Sequence, residues 1–290
     1  MPWTRIISAV VAIPLALAAI AFGGWAFTIV FAILICLGQL EYFNLVKSKG
    51  MSPATKITLL VSQALLIVAQ VKIEFADAVL PVAGTFICFY LLFQPQFATI
   101  ADISASILGL FYGGYLPSFW VRLRGLEQGN AFHIAGQFAT SWDWDFYLSQ
   151  GGIYVLMSFS CIWASDIGAY VMGKIFGRTR LSDISPKKTV EGAAFGLVSC
   201  VSVALIWAFC LGWQTWWLTG SMLGLLIGLA GLLGDLTESM MKRDAGVKDS
   251  GQIMPGHGGI LDRADSYVFT APLVYYFVTL ILPLMSIQLP

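Results

Sequence analysis

Nine apolar runs, most of them close to the roughly 20 residues that an α-helix needs to cross a bilayer, leave this chain few ways to fold. They lie at about 5–22, 24–43, 55–71, 77–94, 101–121, 151–177, 190–211, 215–240 and 264–285. In hydrocarbon every backbone N–H and C=O must be paired inside the protein, so apolar segments of this length fold as helices. The expected fold is an all-α polytopic integral membrane protein with about nine transmembrane helices. Composition agrees. Hydrophobic residues make up 58% of the 290 and charged residues 11%, against about 25% charged in a soluble domain. No nucleic-acid partner is expected.

Only Gly23-Gly24 separates the first two runs, so a tight helical hairpin is expected there. Arg5 ahead of an apolar run with small residues at Ala18-Ala19 also fits a cleaved signal peptide. The run is long and a second one follows at once, which favours a retained span. Cys36, Cys88, Cys161, Cys200 and Cys210 all lie in apolar runs without metal-ligand spacing, and read as small core residues. Segment 122–150 reads as an external loop with an aromatic anchor (Trp142, Trp144, Phe146, Tyr147), and His133 within it as a surface histidine.

Lysine and arginine orient the chain. With the N-terminus in the cytoplasm, Arg5, Lys47, Lys49, Lys56, Lys174, Arg178, Arg180, Lys187, Lys188, Lys242, Arg243, Lys248 and Arg263 lie inside. Lys72, Arg122 and Arg124 lie outside. The expected organisation is an N-terminal part, 1–150, with about five spans and the external loop. A C-terminal catalytic part, 151–290, follows, with cytoplasmic loops 178–191 and 241–263.

Charge is concentrated between Asp235 and Asp265, in GDLTESMMKRDAGVKDSGQIMPGHGGILDRAD counted from Gly234. Asp235, Glu238, Ser239 and Lys242 follow i, i+3, i+4, i+7 spacing and share one helix face. Gly224, Gly228 and Gly231 continue that face and permit close helix approach, so the acids point into the bundle. Asp166 is a further acid inside a span, in a row with Ser165, Ala169, Tyr170 and Gly173. Acids in a span cost a few kcal/mol each on insertion scales and require a partner or a task. One reading is simple pairing with Lys242, Arg243 and Lys187. Carboxylates clustered this closely, with Asp262 and Asp265 added, instead favour a bound cation. Ser185-Pro186-Lys187-Lys188-Thr189, just ahead of a span, suits polyphosphate. Pro255-Gly256-His257-Gly258-Gly259 is a flexible turn whose backbone can approach a ligand. Together these features suggest metal-assisted phosphoryl or nucleotidyl transfer.

The assembled pattern resembles the phosphatidate cytidylyltransferases, or CDP-diacylglycerol synthases. It consists of Ser239, Lys242-Arg243, Lys248-Asp249, Pro255-Gly256-His257-Gly258-Gly259 and Asp262-Arg263-Ala264-Asp265. Upstream, Ser165-Asp166-x-x-Ala169-Tyr170 and Ser185-Pro186-Lys187-Lys188-Thr189-x-Glu191-Gly192 are similar to the same family. Met254 and Ala264 depart mildly from it. The motifs cover about 165–265, whereas the first 150 residues match only in hydropathy and span count.

The resemblance implies a Mg²⁺-dependent nucleotidyltransferase. CMP passes from CTP to phosphatidic acid, giving CDP-diacylglycerol and pyrophosphate for phospholipid biosynthesis. It implies a bacterial inner-membrane enzyme with its active site facing the cytoplasm, the lipid bilayer as partner, and a homodimer. Expected metal ligands are Asp235, Asp262 and Asp166, for Mg²⁺ alone or with a second cation. Expected catalytic residues are Asp235, Asp262, Lys187, Lys242, Arg243 and Asp249. Expected substrate-binding residues are Ser185, Lys188, Thr189, Glu238, Ser239, Lys248, His257, Gly258, Gly259, Arg263 and Asp265. Intramembrane acids also mark transporters, but the acids here gather at one face and no internal repeat is present. The DGxxAR pattern of CDP-alcohol phosphotransferases is absent.

Overall fold

In a computed structural model, residues 2–94, 97–126, 132–133, 147–253 and 258–287 are described. Helices α1 (Pro2–Phe22), α2 (Gly24–Ser48), α3 (Thr55–Val71) and α4 (Ala76–Leu92) open the chain. Helices α5 (Ile100–Leu110) and α6 (Leu116–Arg124) form one run through a π-helical turn, Phe111–Tyr115. Then come α7 (Gln150–Phe176), α8 (Val190–Cys210), α9 (Trp216–Asp244), α10 (Leu261–Tyr276) and, after a second π turn at Phe277–Ile281, α11 (Leu282–Ile287). Besides a 3₁₀ turn at Ile73–Phe75, the other regular element among the described residues is a pair of two-residue strands, β1 (Phe132–His133) antiparallel to β2 (Tyr147–Leu148). It falls within the expected external loop, most of which, with Trp142, Trp144 and Phe146, lies outside the described residues.

Every expected apolar run is helical. Six stretches among the described residues are long and apolar enough to cross a membrane: Gly24–Ser48, Ile73–Leu92, Gln150–Phe176, Val190–Cys210, Trp216–Asp244 and Leu261–Met285. The α5–α6 run is diluted by serine, glycine, tyrosine and Arg122, and α3 has 17 residues. Gly23, with φ +61°, is the one residue between α1 and α2. A Cβ there would meet the Arg124 guanidinium, which donates from Nε to the Ile20 carbonyl at 2.8 Å. The hairpin is thus stapled to the end of α6.

Helices α7, α8, α9 and α10 pack in sequence, and α10 returns to α6. Small residues make this possible. A Cβ on Gly224 would lie 2.6 Å from Val201 Cα, and one on Gly196 2.8 Å from the Ser165 carbonyl. Aromatic residues fill the centre: the rings of Phe159 and Tyr267 meet edge to face at 4.9 Å, and Trp163 Nε1 donates to the Tyr267 hydroxyl at 2.7 Å. Cys161 and Cys200 are buried in this core, whereas Cys36 and Cys88 are half-buried and Cys210 is exposed. The expectation of five core cysteines therefore fails at Cys210, which stands at the last residue of α8.

Candidate active site

The alternation of helices brings the end of α7, the start of α8, the end of α9 and the start of α10 to one end of the bundle. The 178–189 loop is a tight return. Leu181 N donates to the Lys188 carbonyl at 2.9 Å and Val190 N to the Thr179 carbonyl at 3.0 Å. Glu191 accepts from the backbone N–H of Arg178 at 3.1 Å and of Thr179 at 3.2 Å, which fixes the loop's base. Thr189 caps α8 by accepting from Gly192 N at 3.1 Å. The loop thereby delivers Lys188 onto α9, where its Nζ pairs with Asp235.

On α9, Glu238 is fully buried, Ser239 nearly so, and Asp235 is half-buried. Gly234 lets α10 approach here: a Cβ on it would sit 2.5 Å from the Asp265 carbonyl oxygen. The close approach brings Asp265 up to the α9 acids. One carboxylate oxygen each from Asp235, Glu238 and Asp265 lies within 4.8 Å of the others. Lys242 Nζ stands 2.5 Å from Glu238 Oε2 and 2.6 Å from Asp262 Oδ1. The first of these is an ion pair that serves Oε2, whereas Glu238 Oε1 is buried and has no hydrogen bond or ion pair among the described residues. A buried carboxylate left in that state is costly and is suited to a cation. Three hard oxygen donors fit Mg²⁺.

The expected ligand set differs from this cluster. Asp262 is turned elsewhere: Oδ1 takes Lys242, and Oδ2 accepts from Ser250 N at 3.0 Å, Ser250 Oγ at 3.1 Å and Gly259 N at 2.8 Å. Asp166 is exposed on α7 and forms no hydrogen bond or ion pair among the described residues. Glu238 and Asp265, expected at substrate, are the residues grouped with Asp235.

A residue absent from the expectation anchors the assembly. Glu41 of α2 is 4% exposed. Its Oε1 accepts from Ile260 N at 3.0 Å, and its Oε2 from Leu261 N at 2.8 Å and Ser250 Oγ at 3.0 Å. It therefore satisfies the open N–H groups at the start of α10, where a negative charge is also favoured. Glycines make room for it. A Cβ on Gly259 would lie 2.2 Å from Ser250 Oγ and 2.3 Å from Glu41 Oε2; one on Gly251 would lie 2.4 Å from Glu41 Oε1. Gly258, at φ +83°, would place a Cβ 2.6 Å from Asp262 Oδ2. Gly258 and Gly259, the described part of the turn expected to approach a ligand, wrap protein carboxylates. The sequence signal for Glu41 was an acid within an apolar run.

Remaining expected residues divide by position. Arg243 donates from Nε to the Ile184 carbonyl at 3.4 Å, tying α9 to the 178–191 loop. Lys187, Lys248, Asp249 and Arg263 are exposed at the same end, and Ser185 is half-exposed. Met254, Pro255, Gly256 and His257 lie outside the described residues.

Comparison with known proteins identifies the family. Residues 3–281 match the model of the cytidylyltransferase family. The chain is 57% identical over 291 residues to the phosphatidate cytidylyltransferase of Synechocystis, covering 99% of each protein. It is 40% identical over 273 residues to the chloroplastic phosphatidate cytidylyltransferase 4 of Arabidopsis thaliana, covering 88% of this chain and 68% of that one. With the phosphatidate cytidylyltransferase of Bacillus subtilis it shares 30% identity over 282 residues, 95% of this chain and 97% of that one. A helical bundle with clustered acids and lysines at one end, matched by that family along almost its whole length, belongs to the cytidylyltransferase family.

Proposed function

We propose that this chain is a phosphatidate cytidylyltransferase, transferring CMP from CTP to phosphatidic acid to form CDP-diacylglycerol and pyrophosphate. The observation that carries the reading is the Asp235–Glu238–Asp265 cluster, flanked by Lys188 and Lys242 at one end of an apolar bundle. Phosphatidate keeps its acyl chains in the bilayer while its headgroup reaches that end, where a water-soluble nucleotide also has access.

A phosphate oxygen of phosphatidate attacks the α-phosphorus of CTP. The new P–O bond forms as the bond to the leaving pyrophosphate breaks. The attacking phosphate is largely ionised near neutral pH, so the main barrier is the approach of two polyanions. Asp235, Glu238 and Asp265 would hold Mg²⁺, which when bound neutralises phosphate charge and stabilises the leaving group. Asp262 and Glu238 hold the Lys242 ammonium in place from two sides, ready for a phosphate oxygen. Lys188, now on Asp235, is the second fixed cation. Lys187, Arg243, Lys248 and Arg263 add positive charge for the triphosphate. Such preorganised charges act in a poorly hydrated site at little reorganisation cost. Asp262 serves in this account by positioning Lys242 and the 250–259 turn, and Asp249 with Asp166 borders the nucleotide's approach.

Nine spans, a cytoplasmic N-terminus and an active site facing the cytoplasm complete the proposal. The supports are the excess of Lys and Arg at the site end and the helical state of every apolar run. The same reading divides the chain into a catalytic 151–290 part and a 1–150 scaffold, makes it an inner-membrane protein, and pairs it as a homodimer. The direct test is formation of CDP-diacylglycerol by the purified protein from labelled CTP and phosphatidate. Absence of product with Mg²⁺ present, in a folded preparation, would refute it.

A further inference from the structure

One buried hydroxyl points to a part in the reaction that neither charge pattern nor motif suggests. Tyr112 lies in the π-helical turn of Phe111–Tyr115, outside the segment that carries the recognised motifs. Turns of this kind widen a helix by one residue and are frequent at functional sites. Tyr112 is 1% exposed, yet its hydroxyl has no hydrogen-bond partner among the described residues. Buried hydroxyls are almost always paired. Its ring packs on Phe269, one helical turn beyond Asp265, with centroids 5.6 Å apart. Phe269 in turn lies against Gly234, where a Cβ would come 3.3 Å from its ring, so Tyr112 packs beside the stretch of α9 and α10 that carries Asp235, Glu238 and Asp265. One of the cluster's own oxygens, Glu238 Oε1, also has no hydrogen bond or ion pair among the described residues. An unpartnered donor and an unpartnered acceptor thus belong to one packed region of α5–α6, α9 and α10. Tyr42, by contrast, is 3% exposed and donates to the Ala105 carbonyl at 3.0 Å, a closed structural bond.

We infer that Tyr112 is a ligand-binding residue of this site, its O–H donating to an oxygen of whatever the three carboxylates hold. A phenol suits that place. It supplies a donor without adding a charge to a crowded acidic cluster, and its ring fills the apolar space between α5–α6 and α10. The acceptor is either a phosphate oxygen of the substrate or a water on the bound cation. The inference rests on the reading of the cluster given above.

The test compares full-length wild type, Tyr112→Phe and, as a structural control, Tyr42→Phe, each in lipid nanodiscs. Tyr112→Phe removes one oxygen and keeps the ring. Turnover with saturating CTP and phosphatidate should fall at least about tenfold, while the melting temperature without ligand stays at or above that of wild type. Two further arms separate the acceptors. Loss of the thermal stabilisation given by Mg²⁺ alone assigns the cation's water. Loss only with Mg²⁺ plus CTP, or of turnover alone, assigns a phosphate oxygen. Tyr42→Phe should lower the melting temperature and keep turnover. Wild-type turnover in Tyr112→Phe overturns the inference, as does a turnover loss matched by a fall in unliganded melting temperature. If wild type itself makes no CDP-lipid, the functional reading fails and not this inference alone.

Discussion

Asp235 offers the first residue-scale test of the proposed function, because it belongs to the carboxylate cluster and pairs with Lys188. Asp235→Asn should reduce CDP-lipid formation by about 100-fold or more while leaving the helical content unchanged, as a turnover assay beside circular dichroism would register. Glu41 offers a different test, since it acts on backbone rather than on substrate. Glu41→Gln keeps the shape but turns an amide N–H₂ towards N–H donors. We expect a stability loss of about 1–2 kcal/mol for Glu41→Gln and about 3 kcal/mol for Glu41→Ala, in reversible denaturation. Equal stability of both variants with wild type would remove Glu41 from its anchoring role. The motif residues were legible in the sequence because charge is rare in this chain. Their division of labour was not. Asp235, Glu238, Asp262 and Asp265 all look alike as spaced carboxylates, and only the crossing of α9 over α10 decides which of them meet. Glu41 escaped notice because its run reads simply as a span, and its partners lie more than 200 residues away.

At the scale of elements, the site depends on how closely α9 and α10 approach. Gly234 and Gly231 both face α10, but with unequal room. A Cβ on Gly234 would lie 2.5 Å from the Asp265 carbonyl oxygen, whereas on Gly231 the nearest atom is Ser266 Cβ at 3.6 Å. Gly234→Ala should therefore push the helices apart at Asp265, destabilise by about 1–3 kcal/mol and reduce turnover. Gly231→Ala should stay close to wild type in both. Measuring the two variants side by side checks the packing, and identical behaviour would contradict it. Helix positions were the most legible part of the sequence, because uninterrupted apolar runs allow little else in a bilayer. The stripe Gly224, Gly228 and Gly231 was legible as a contact surface. It serves two partners, however: Gly224 and Gly228 face α8, and Gly231 faces α10. A period of about 3.6 residues cannot show that change of neighbour. The π turn at Phe111–Tyr115 was equally hidden, and its Gly113 and Gly114 fit closely against Gln39 and Ser62 of other helices, residues far away in sequence.

For the whole molecule, the account requires that the end bearing Lys187 face the cytoplasm and the end bearing Cys210 face outward. Cys210 is exposed on the opposite end of α8 and provides a natural probe. A membrane-impermeant maleimide should label it in right-side-out vesicles. In a chain lacking the five native cysteines, Lys187→Cys should react only in inverted ones. The opposite pattern would reverse the topology. The sequence bore on orientation through loop charge alone, and the structure adds that the positive loops and the clustered acids share one end. That shared end matters because the account joins two substrates of opposite solubility: one enters through lipid and the other from water. The most direct measurement uses purified full-length protein with phosphatidate and CTP labelled on the α-phosphorus, with and without Mg²⁺. The account predicts that Mg²⁺ switches on transfer of the label to CDP-diacylglycerol, with one pyrophosphate released per lipid formed. Pyrophosphate release without labelled lipid, or labelled lipid formed equally well after complete removal of divalent cations, would contradict it.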